Sequence, residues 1–209
     1  MSEIPTNKSN RLISVVLVLV IVCAVGVLVY TNLPPNNTTP TPSGGTNETR
    51  VPIMTIRYNT EEKNYTLQEI EAMPSYTGKG GYRTSFPAIR GVGNYTGITI
   101  HTLLNQFSDL PNNYSLNVTS NYQGKIENKT FNYSMILGNV DIYNPQNASD
   151  QNPIGNNGLT MVLAYKFEGN YLNESADGKL KIVFLDDIGS ITSAGLWWKS
   201  VVSIYVITE

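Results

Sequence analysis

The chain has 209 residues and a formal net charge of −2, which suits one medium-sized domain with appended segments. Such a weak charge balance gives no clustered basic face, so no nucleic-acid partner is expected. Cys23 is the only cysteine and His101 the only histidine. The sequence therefore excludes a disulfide framework and a Cys/His zinc site, and it predicts no metal-ligating side chains.

An uncharged apolar run, LISVVLVLVIVCAVGVLVY, occupies residues 12–30. Its nineteen residues are enough helix to cross a hydrocarbon core of about 30 Å. Lys8 and Arg11 precede the run, and the positive-inside rule then keeps residues 1–11 in the cytoplasm. The prediction is a single-pass cell-membrane protein whose remaining chain lies outside the cell. Cleavage of this segment as a signal peptide stays open as the alternative.

Residues 31–50, TNLPPNNTTPTPSGGTNETR, are dominated by Pro, Thr, Asn and Gly. A segment of this composition cannot bury a core, so the sequence predicts an extended linker. Apolar patterning begins at Val51. Residues 51–209 are therefore expected to form a folded domain outside the cell.

The chain beyond residue 30 is dense in sequons, the Asn-x-Ser/Thr acceptors of N-glycosylation. Their asparagines are Asn36, Asn37, Asn47, Asn64, Asn94, Asn113, Asn117, Asn128, Asn132, Asn147 and Asn173. A chain with 24 asparagines also generates sequons by chance, which is the alternative. Because the pattern agrees with the predicted topology, we expect glycan acceptors. An exported domain without disulfides is most typical of an archaeal cell-surface protein, since animal secreted domains usually carry them.

The sequence of the first part of the domain predicts a strand and a short helix. Residues 51–58 alternate partly between apolar and polar side chains, as a strand does. Thr66 and Glu69 have the spacing of a capping box, which marks a helix start. Pro74 then ends that helix.

The sequence of the rest of the domain predicts mainly strands. The GKGG segment at 78–81 is typical of a hairpin turn, and residues 97–107 predict a turn followed by a short helix. Residues 114–120 alternate as a strand that can pair with 129–133, and 143–158 read as a long loop. Three further strands are predicted at 159–167, 180–185 and 201–207. Short helices among strands, without βαβ alternation, indicate an α+β domain.

Four segments carry a family resemblance when they are taken in order. They are YTLQEIEAMP at 65–74, YTGITIHTLLNQF at 95–107, LTMVLAYKFEGNYLNESADGKLKIVFLDD at 159–187 and GLWWKSVVSIYV at 195–206. Together they resemble the molybdopterin-binding domain of the sulfite-oxidase type of oxidoreductase. Tyr95 stands where that family usually has Trp, and the resemblance covers 51–208.

This resemblance implies a single mixed α/β domain behind the transmembrane helix, and a molybdopterin-dependent oxidoreductase activity. The family holds its metal through the cofactor and one cysteine, which is expected within 84–93, where this chain has none. The hydroxyl of Ser85 is a poor substitute for a soft thiolate. The residues that the resemblance offers for binding the cofactor are Arg83, Ser85, Arg90 and Lys199.

The missing cysteine favours a non-catalytic module that has kept the fold and binds a small ligand or a cell-surface protein. No cofactor is expected in that case, although molybdopterin stays open. The first alternative is an extracytoplasmic molybdopterin-dependent oxidoreductase, for which the N-terminus lacks the Arg-Arg pair of twin-arginine export. The weaker alternative is a structural component of the cell envelope.

Three further features are interpreted more simply. Trp197 and Trp198 are adjacent in an extended segment, so one ring is expected in the core and the other exposed or in a cleft. His101 has no partner motif and is expected at the surface or as a helix cap. Asp186 and Asp187 match no calcium loop and are expected in a turn.

Overall fold

Two β-sheets form the framework of residues 51–208, the part of the chain that the computed structural model describes. The predicted anchor at 12–30 and linker at 31–50 lie outside the described residues. The sequon asparagines of the linker lie outside them as well: Asn36, Asn37 and Asn47. Within 51–208, no helix has the length and apolar character needed to cross a membrane.

The first sheet has five strands. They are β1 (Met54–Tyr58), β2 (Glu61–Tyr65), β5 (Tyr114–Tyr122), β6 (Lys125–Phe131) and β14 (Val201–Thr208). Their order is β2-β1-β14-β5-β6, with β1 and β14 parallel and the other pairs antiparallel. Side chains alternate between the two faces. Ile56 and Val118 are fully buried on the inner face, while Thr55 and Thr119 lie on the outer face.

The second sheet has seven strands. They are β3 (Tyr76–Arg83), β4 (Ile89–Thr99), β9 (Thr160–Phe167), β10 (Asn170–Tyr171), β11 (Lys181–Leu185), β12 (Ile191–Ser193) and β13 (Trp198–Lys199). The main path is β12-β3-β4-β9-β11-β13, and β10 pairs with β9. A separate antiparallel pair joins β7 (Asn139–Ile142) to β8 (Gly155–Gly158), so the predicted loop at 143–158 ends in a strand.

Backbone hydrogen bonds between Lys79 and Asp186 close the second sheet into a small barrel. The Lys79 N–H donates to the Asp186 carbonyl at 2.7 Å, and the Asp186 N–H donates back at 3.0 Å. Gly80 sits at this seam, where an added Cβ would lie 2.7 Å from the Phe184 carbonyl oxygen. The GKGG segment is therefore inside β3, and the predicted hairpin turn is wrong. Its glycines permit close backbone approach rather than chain reversal.

The turn predicted at Gly97 is also wrong. It lies inside β4 rather than in a turn, because β4 runs on to Thr99 before the helix begins. An added Cβ on Gly97 would lie 2.2 Å from the Leu163 carbonyl oxygen of β9. The glycine therefore allows two neighbouring strands to pack closely.

Helices are short. They are α1 (Leu67–Glu71), α2 (Ile100–Leu104), α3 (Tyr133–Ile136) and a 3₁₀ turn (Ala194–Leu196). The predicted capping box of α1 is confirmed, since the Glu69 N–H donates to Thr66 Oγ1 at 3.3 Å and the Thr66 N–H donates to Glu69 Oε2 at 2.7 Å. His101 is exposed on α2. Because each helix is about one turn long, the domain is mainly β, and the α+β prediction holds only in its coarse form.

One hydrophobic core joins the two sheets. Phe131 of β6 and Phe184 of β11 are both fully buried, with ring centroids 6.2 Å apart. The strands predicted at 159–167, 180–185 and 201–207 are present as β9, β11 and β14. Burial of both faces of β9 and β11 explains their nearly continuous apolar sequences.

Candidate ligand-binding cavity

A cavity of about 470 Å³ lies between the barrel and the inner face of the five-stranded sheet. This volume falls within the usual range for small-molecule sites, about 300–1,000 Å³. The cavity is lined by Tyr82, Ser120, Tyr122, Glu127, Ala176, Asp177, Lys181, Ala194, Trp197, Trp198 and Lys199. Aromatic rings and charged groups thus converge in one concave place.

Lys181 supplies a buried cation to the cavity wall. Its Nζ donates to Asp177 Oδ1 at 2.7 Å. The same Nζ lies 5.6 Å from the ring centroid of Tyr82 and 5.5 Å from that of Trp197. A buried ammonium is costly unless it is paired, and here one carboxylate and two ring faces surround it.

The turn that places Asp177 depends on Gly178. Gly178 has a φ of +74°, and a Cβ there would lie 2.5 Å from Cα of Ser200. The Ser200 N–H donates to the Asp177 carbonyl at 2.7 Å. The turn is thereby held against the start of β14, with the carboxylate of Asp177 directed at Lys181.

Trp197 anchors an aromatic cluster at the inner end of the cavity. Its side chain is 7% exposed, and its Nε1 donates to Thr192 Oγ1 at 2.7 Å. The ring centroids of Tyr82 and Tyr95 lie 5.1 and 5.2 Å from that of Trp197. Burial, and then the nearby Asp177 carboxylate, raise the pKa of Tyr95. Tyr95 is therefore a neutral phenol, and it donates to the Gly91 carbonyl at 2.9 Å.

Trp198 has a different environment. It is half-buried and lines the cavity, but its Nε1 is buried without a hydrogen-bond partner among residues 51–208. The two adjacent rings therefore differ as expected, with Trp197 in the core and Trp198 at a cleft. An unpaired buried N–H is costly, and this one has no partner among the described residues.

Lys199 is the one sequence-predicted cofactor-binding residue that lines this cavity. Its Nζ lies 3.5 Å from the ring centroid of Tyr122 and donates to the Ala176 carbonyl at 3.2 Å. Within the described chain no carboxylate forms an ion pair with Lys199, whereas Glu127 is paired with Lys125. Lys199 therefore brings to the cavity a positive charge that pairs with no carboxylate of residues 51–208, although the Glu127 carboxylate also lines the cavity.

Arg83 lies outside the cavity, at the end of β3. Its Nε donates to the Ala148 carbonyl at 2.7 Å, and its guanidinium carbon lies 5.4 Å from the ring centroid of Tyr143. One terminal nitrogen, Nη2, is buried and unpartnered within the described part of the chain. Arg83 thus keeps one donor for an acceptor group outside the residues described.

Ser85 and Arg90 are both exposed. Ser85 is in the loop between β3 and β4, and Arg90 pairs in register with Tyr82 while Arg83 pairs with Ile89. Since neighbouring residues of a strand face opposite sides, Arg90 and Arg83 lie on opposite faces of this hairpin. The four predicted residues are therefore not gathered into one site.

A molybdopterin-bound metal would need a soft protein ligand in this family. Residues 51–208 contain no cysteine, and they hold no group of three or more His, Cys, Asp or Glu side chains arranged for a metal ion. The unpartnered donors of Arg83 and Trp198 suit an anionic organic group, but they supply no soft metal ligand. These residues do not fit a metal held by a protein thiolate.

Comparison of the sequence with models of known protein families, and with curated proteins individually, gives no match. Among solved structures, the chain is similar to the sulfane dehydrogenase SoxCD from Paracoccus pantotrophus, with a TM-score of 0.52 and 12% identity. The match covers 75% of this chain and 38% of the SoxCD chain. The fold therefore resembles part of an oxidoreductase, this sulfane dehydrogenase, in agreement with the coarser part of the sequence resemblance. At this identity the match establishes the fold alone.

Sequence reasoning missed Lys181 and Asp177 as a buried pair. Neither residue was assigned a role from the sequence, because a lysine in a polar segment is usually solvated. The available signal was the position of Lys181 directly before the apolar run IVFL. A charged side chain at the start of a buried strand needs a partner group, because burial of an unpaired charge is costly.

Proposed function

We propose that residues 51–208 form a non-catalytic extracellular module that binds a small anionic ring compound in the cavity beside Trp198 and Lys199. The single observation that carries this proposal is the cavity wall where Trp198, whose Nε1 is buried without a partner among residues 51–208, lies beside Lys199. Lys199 supports it, because its ammonium has no carboxylate partner among residues 51–208 and charge-assisted hydrogen bonds to an anionic acceptor are strong.

The ring-shaped character of the ligand is inferred from the aromatic wall. Trp198, Tyr122 and Tyr82 line the cavity together. Aromatic faces bind flat rings through large contact areas in offset or edge-on geometry. The pair of Lys181 with Asp177 adds polarity to this wall with little net charge, and the Glu127 carboxylate on the wall is paired with Lys125. Lys199 therefore sets the preferred sign of the ligand in this proposal.

The proposed location rests on the sequence. The apolar run at 12–30 would anchor the chain, and the linker at 31–50 would hold the module away from the membrane. Seven of the eight sequon asparagines within 51–208 are exposed, which supports accessibility to glycosylation. Membrane anchoring, glycosylation and an archaeal source are parts of this proposal.

The test is a fluorescence titration of the full chain in detergent with pterin-6-carboxylate, an anionic fluorescent ring compound. We expect one saturable site. Lys199→Ala should weaken binding by about tenfold or more, since hydrogen bonds to charged groups contribute about 1.5–3 kcal/mol. Trp198→Phe should also weaken it, because the ring stays while the donor is lost. Arg90→Ala, an exposed cation outside the cavity, is the control and should bind normally. Absence of saturable binding to the wild-type chain would overturn the proposal.

The second candidate is a molybdopterin-dependent oxidoreductase outside the cytoplasm. The fold match to a sulfane dehydrogenase supports an oxidoreductase more directly than it supports a module without catalysis. Against this candidate stands the lack of a thiolate ligand in 51–208. Stoichiometric molybdenum or tungsten in the native protein would decide for it.

A further inference from the structure

The outer face of the five-stranded sheet carries three of the sequons. Asn64 on β2 lies opposite Thr55 of β1, and Asn128 on β6 lies opposite Thr119 of β5. Asn117 is two residues before Thr119 on the same strand, so it shares that face. Because β2 and β6 are the edge strands, the three asparagines span the whole width of the sheet.

The cavity opens from the opposite face of the same strands. Ser120 and Tyr122 of β5, and Glu127 of β6, line the cavity. They alternate with Asn117 and Asn128 along these strands. Groups attached to the outer face would therefore leave the cavity wall untouched.

Asn117 lies directly opposite Tyr205 of β14 in the antiparallel pairing. Directly opposed residues have Cβ atoms about 4.5–5.5 Å apart, so their side chains meet. The Tyr205 side chain is 46% exposed, which leaves part of an aromatic ring open beside the Asn117 amide. The carbon-bound hydrogens of a sugar ring pack well on such a face.

We propose that Asn64, Asn117 and Asn128 carry N-linked sugars that cover the outer face of this sheet, and that the first sugar on Asn117 packs against the ring of Tyr205. In each case Nδ2 bonds to C1 of a lipid-linked oligosaccharide, and the polyprenyl phosphate leaves with the amide proton. The inference rests on the proposed extracellular location.

The hydrogen bonds of the sequon side chains are compatible with this chemistry. Thr119 Oγ1 donates to Asn128 Oδ1 at 2.7 Å, and Thr55 Oγ1 donates to Asn64 Oδ1 at 2.6 Å. These bonds orient the carbonyl oxygens, while the reacting atom is the amide nitrogen. Asn64 Nδ2 also donates to Glu62 Oε1 at 3.2 Å, and a glycosylated amide keeps one N–H for such a bond. Sugars at Asn64 and Asn128 would also stand beside both open sheet edges and oppose the addition of a further strand.

The first arm of the test is glycopeptide mass spectrometry of the full chain purified from its native membrane. We expect a sugar on Asn117, Asn64 and Asn128. An unmodified Asn117 in a chain that carries sugars at other sequons would overturn this inference alone. A chain without sugar at any sequon would overturn it together with the proposed location.

The second arm is a thermal-unfolding cycle that combines Tyr205→Ser with Asn117→Gln. If the sugar packs on the ring, Tyr205→Ser should lower the Tm by about 2 °C or more beyond its effect in the Asn117→Gln background. Thr119→Ser keeps the sequon and is the matched control. If Asn117 of the wild-type chain carries a sugar and Tyr205→Ser lowers the Tm equally in the wild-type and Asn117→Gln backgrounds, the packing on Tyr205 is overturned.

Discussion

The side chains of Lys181 and Asp177 meet at 2.7 Å, but they differ in exposure, with 8% for the lysine and 30% for the aspartate. Water can therefore hydrate the carboxylate after its partner is lost, whereas the ammonium is left buried. Breaking a buried pair by removing one partner is usually far more costly than replacing both.

From this difference we expect Asp177→Ala to lower the free energy of unfolding by about 3 kcal/mol. Lys181→Met should cost less, about 1–2 kcal/mol, because the apolar chain stays and the carboxylate is partly hydrated. Urea unfolding of both variants at neutral pH measures the difference. Equal costs, or a larger cost for Lys181→Met, would contradict the assigned environments.

The two tryptophans should respond differently to the same substitution. Trp197→Phe removes the bond to Thr192 Oγ1 and should lower stability by about 1–2 kcal/mol. Trp198→Phe removes an N–H that has no partner in the described chain, so it should leave stability unchanged or slightly raised. Denaturant midpoints of the two variants provide the comparison. A loss of stability for Trp198→Phe matching that of Trp197→Phe would show that Trp198 Nε1 has a partner.

The carboxyl of Asp186 makes the free energy of unfolding depend on pH. Burial acts to raise the pKa of its carboxyl, but hydrogen bonds from the Ser190 side chain and from the backbone of Ser190, Gly189 and Ile188 outweigh burial and hold the pKa below its usual 3.8. A carboxyl whose pKa is lower in the folded state stabilises the fold fully at pH values above its unfolded-state pKa. This stabilisation is lost as the pH falls through the folded-state pKa.

Asp186→Ala should therefore destabilise the domain by about 2 kcal/mol at pH 7, since several hydrogen bonds to a charged acceptor are lost. The difference between wild type and variant should shrink as pH falls below about 4. Urea unfolding at pH 7 and pH 3 tests this. A difference that is constant or growing toward pH 3 would contradict the role of the charged form.

Gly97 and Gly155 provide a matched pair of glycine substitutions. Gly97→Ala would place a Cβ 2.2 Å from a backbone oxygen of β9, so we expect a loss of about 3 kcal/mol or failure to fold. Gly155→Ala places its Cβ 3.6 Å from the Ile142 side chain, an ordinary contact, and should be nearly neutral. Soluble yield and Tm of the two variants report the result. A stable Gly97→Ala protein would mean that β4 and β9 are not so closely paired.

Sequence patterns predicted those elements of the fold that depend on residues close together in the chain. The capping box of Thr66 and Glu69 and the alternation of β5 depend on neighbours in the sequence, so they could be read directly. The glycines of β3 and Gly97 could not, because what they accommodate is a strand distant in sequence. The same residue type marks turns and close strand contacts, and only the tertiary partner decides between them.

The site was less predictable for the same reason. Lys199 was identified through a family resemblance. Asp177 and Lys181 are only four residues apart, but the burial that makes this pair important depends on Tyr82 and Trp197, which belong to other parts of the chain. Arg83 and Arg90 are close in sequence, but strand alternation places them on opposite faces. Nearness in sequence therefore indicated a common site that the fold does not form around them.

Joint metal and small-molecule analysis, by mass spectrometry, of the full chain purified from its native membrane separates the two candidate functions. We expect no stoichiometric molybdenum or tungsten, and the release of an anionic ring compound on denaturation from wild type but not from Lys199→Ala. Stoichiometric molybdenum or tungsten in the wild-type chain would contradict the non-catalytic module and establish the oxidoreductase instead.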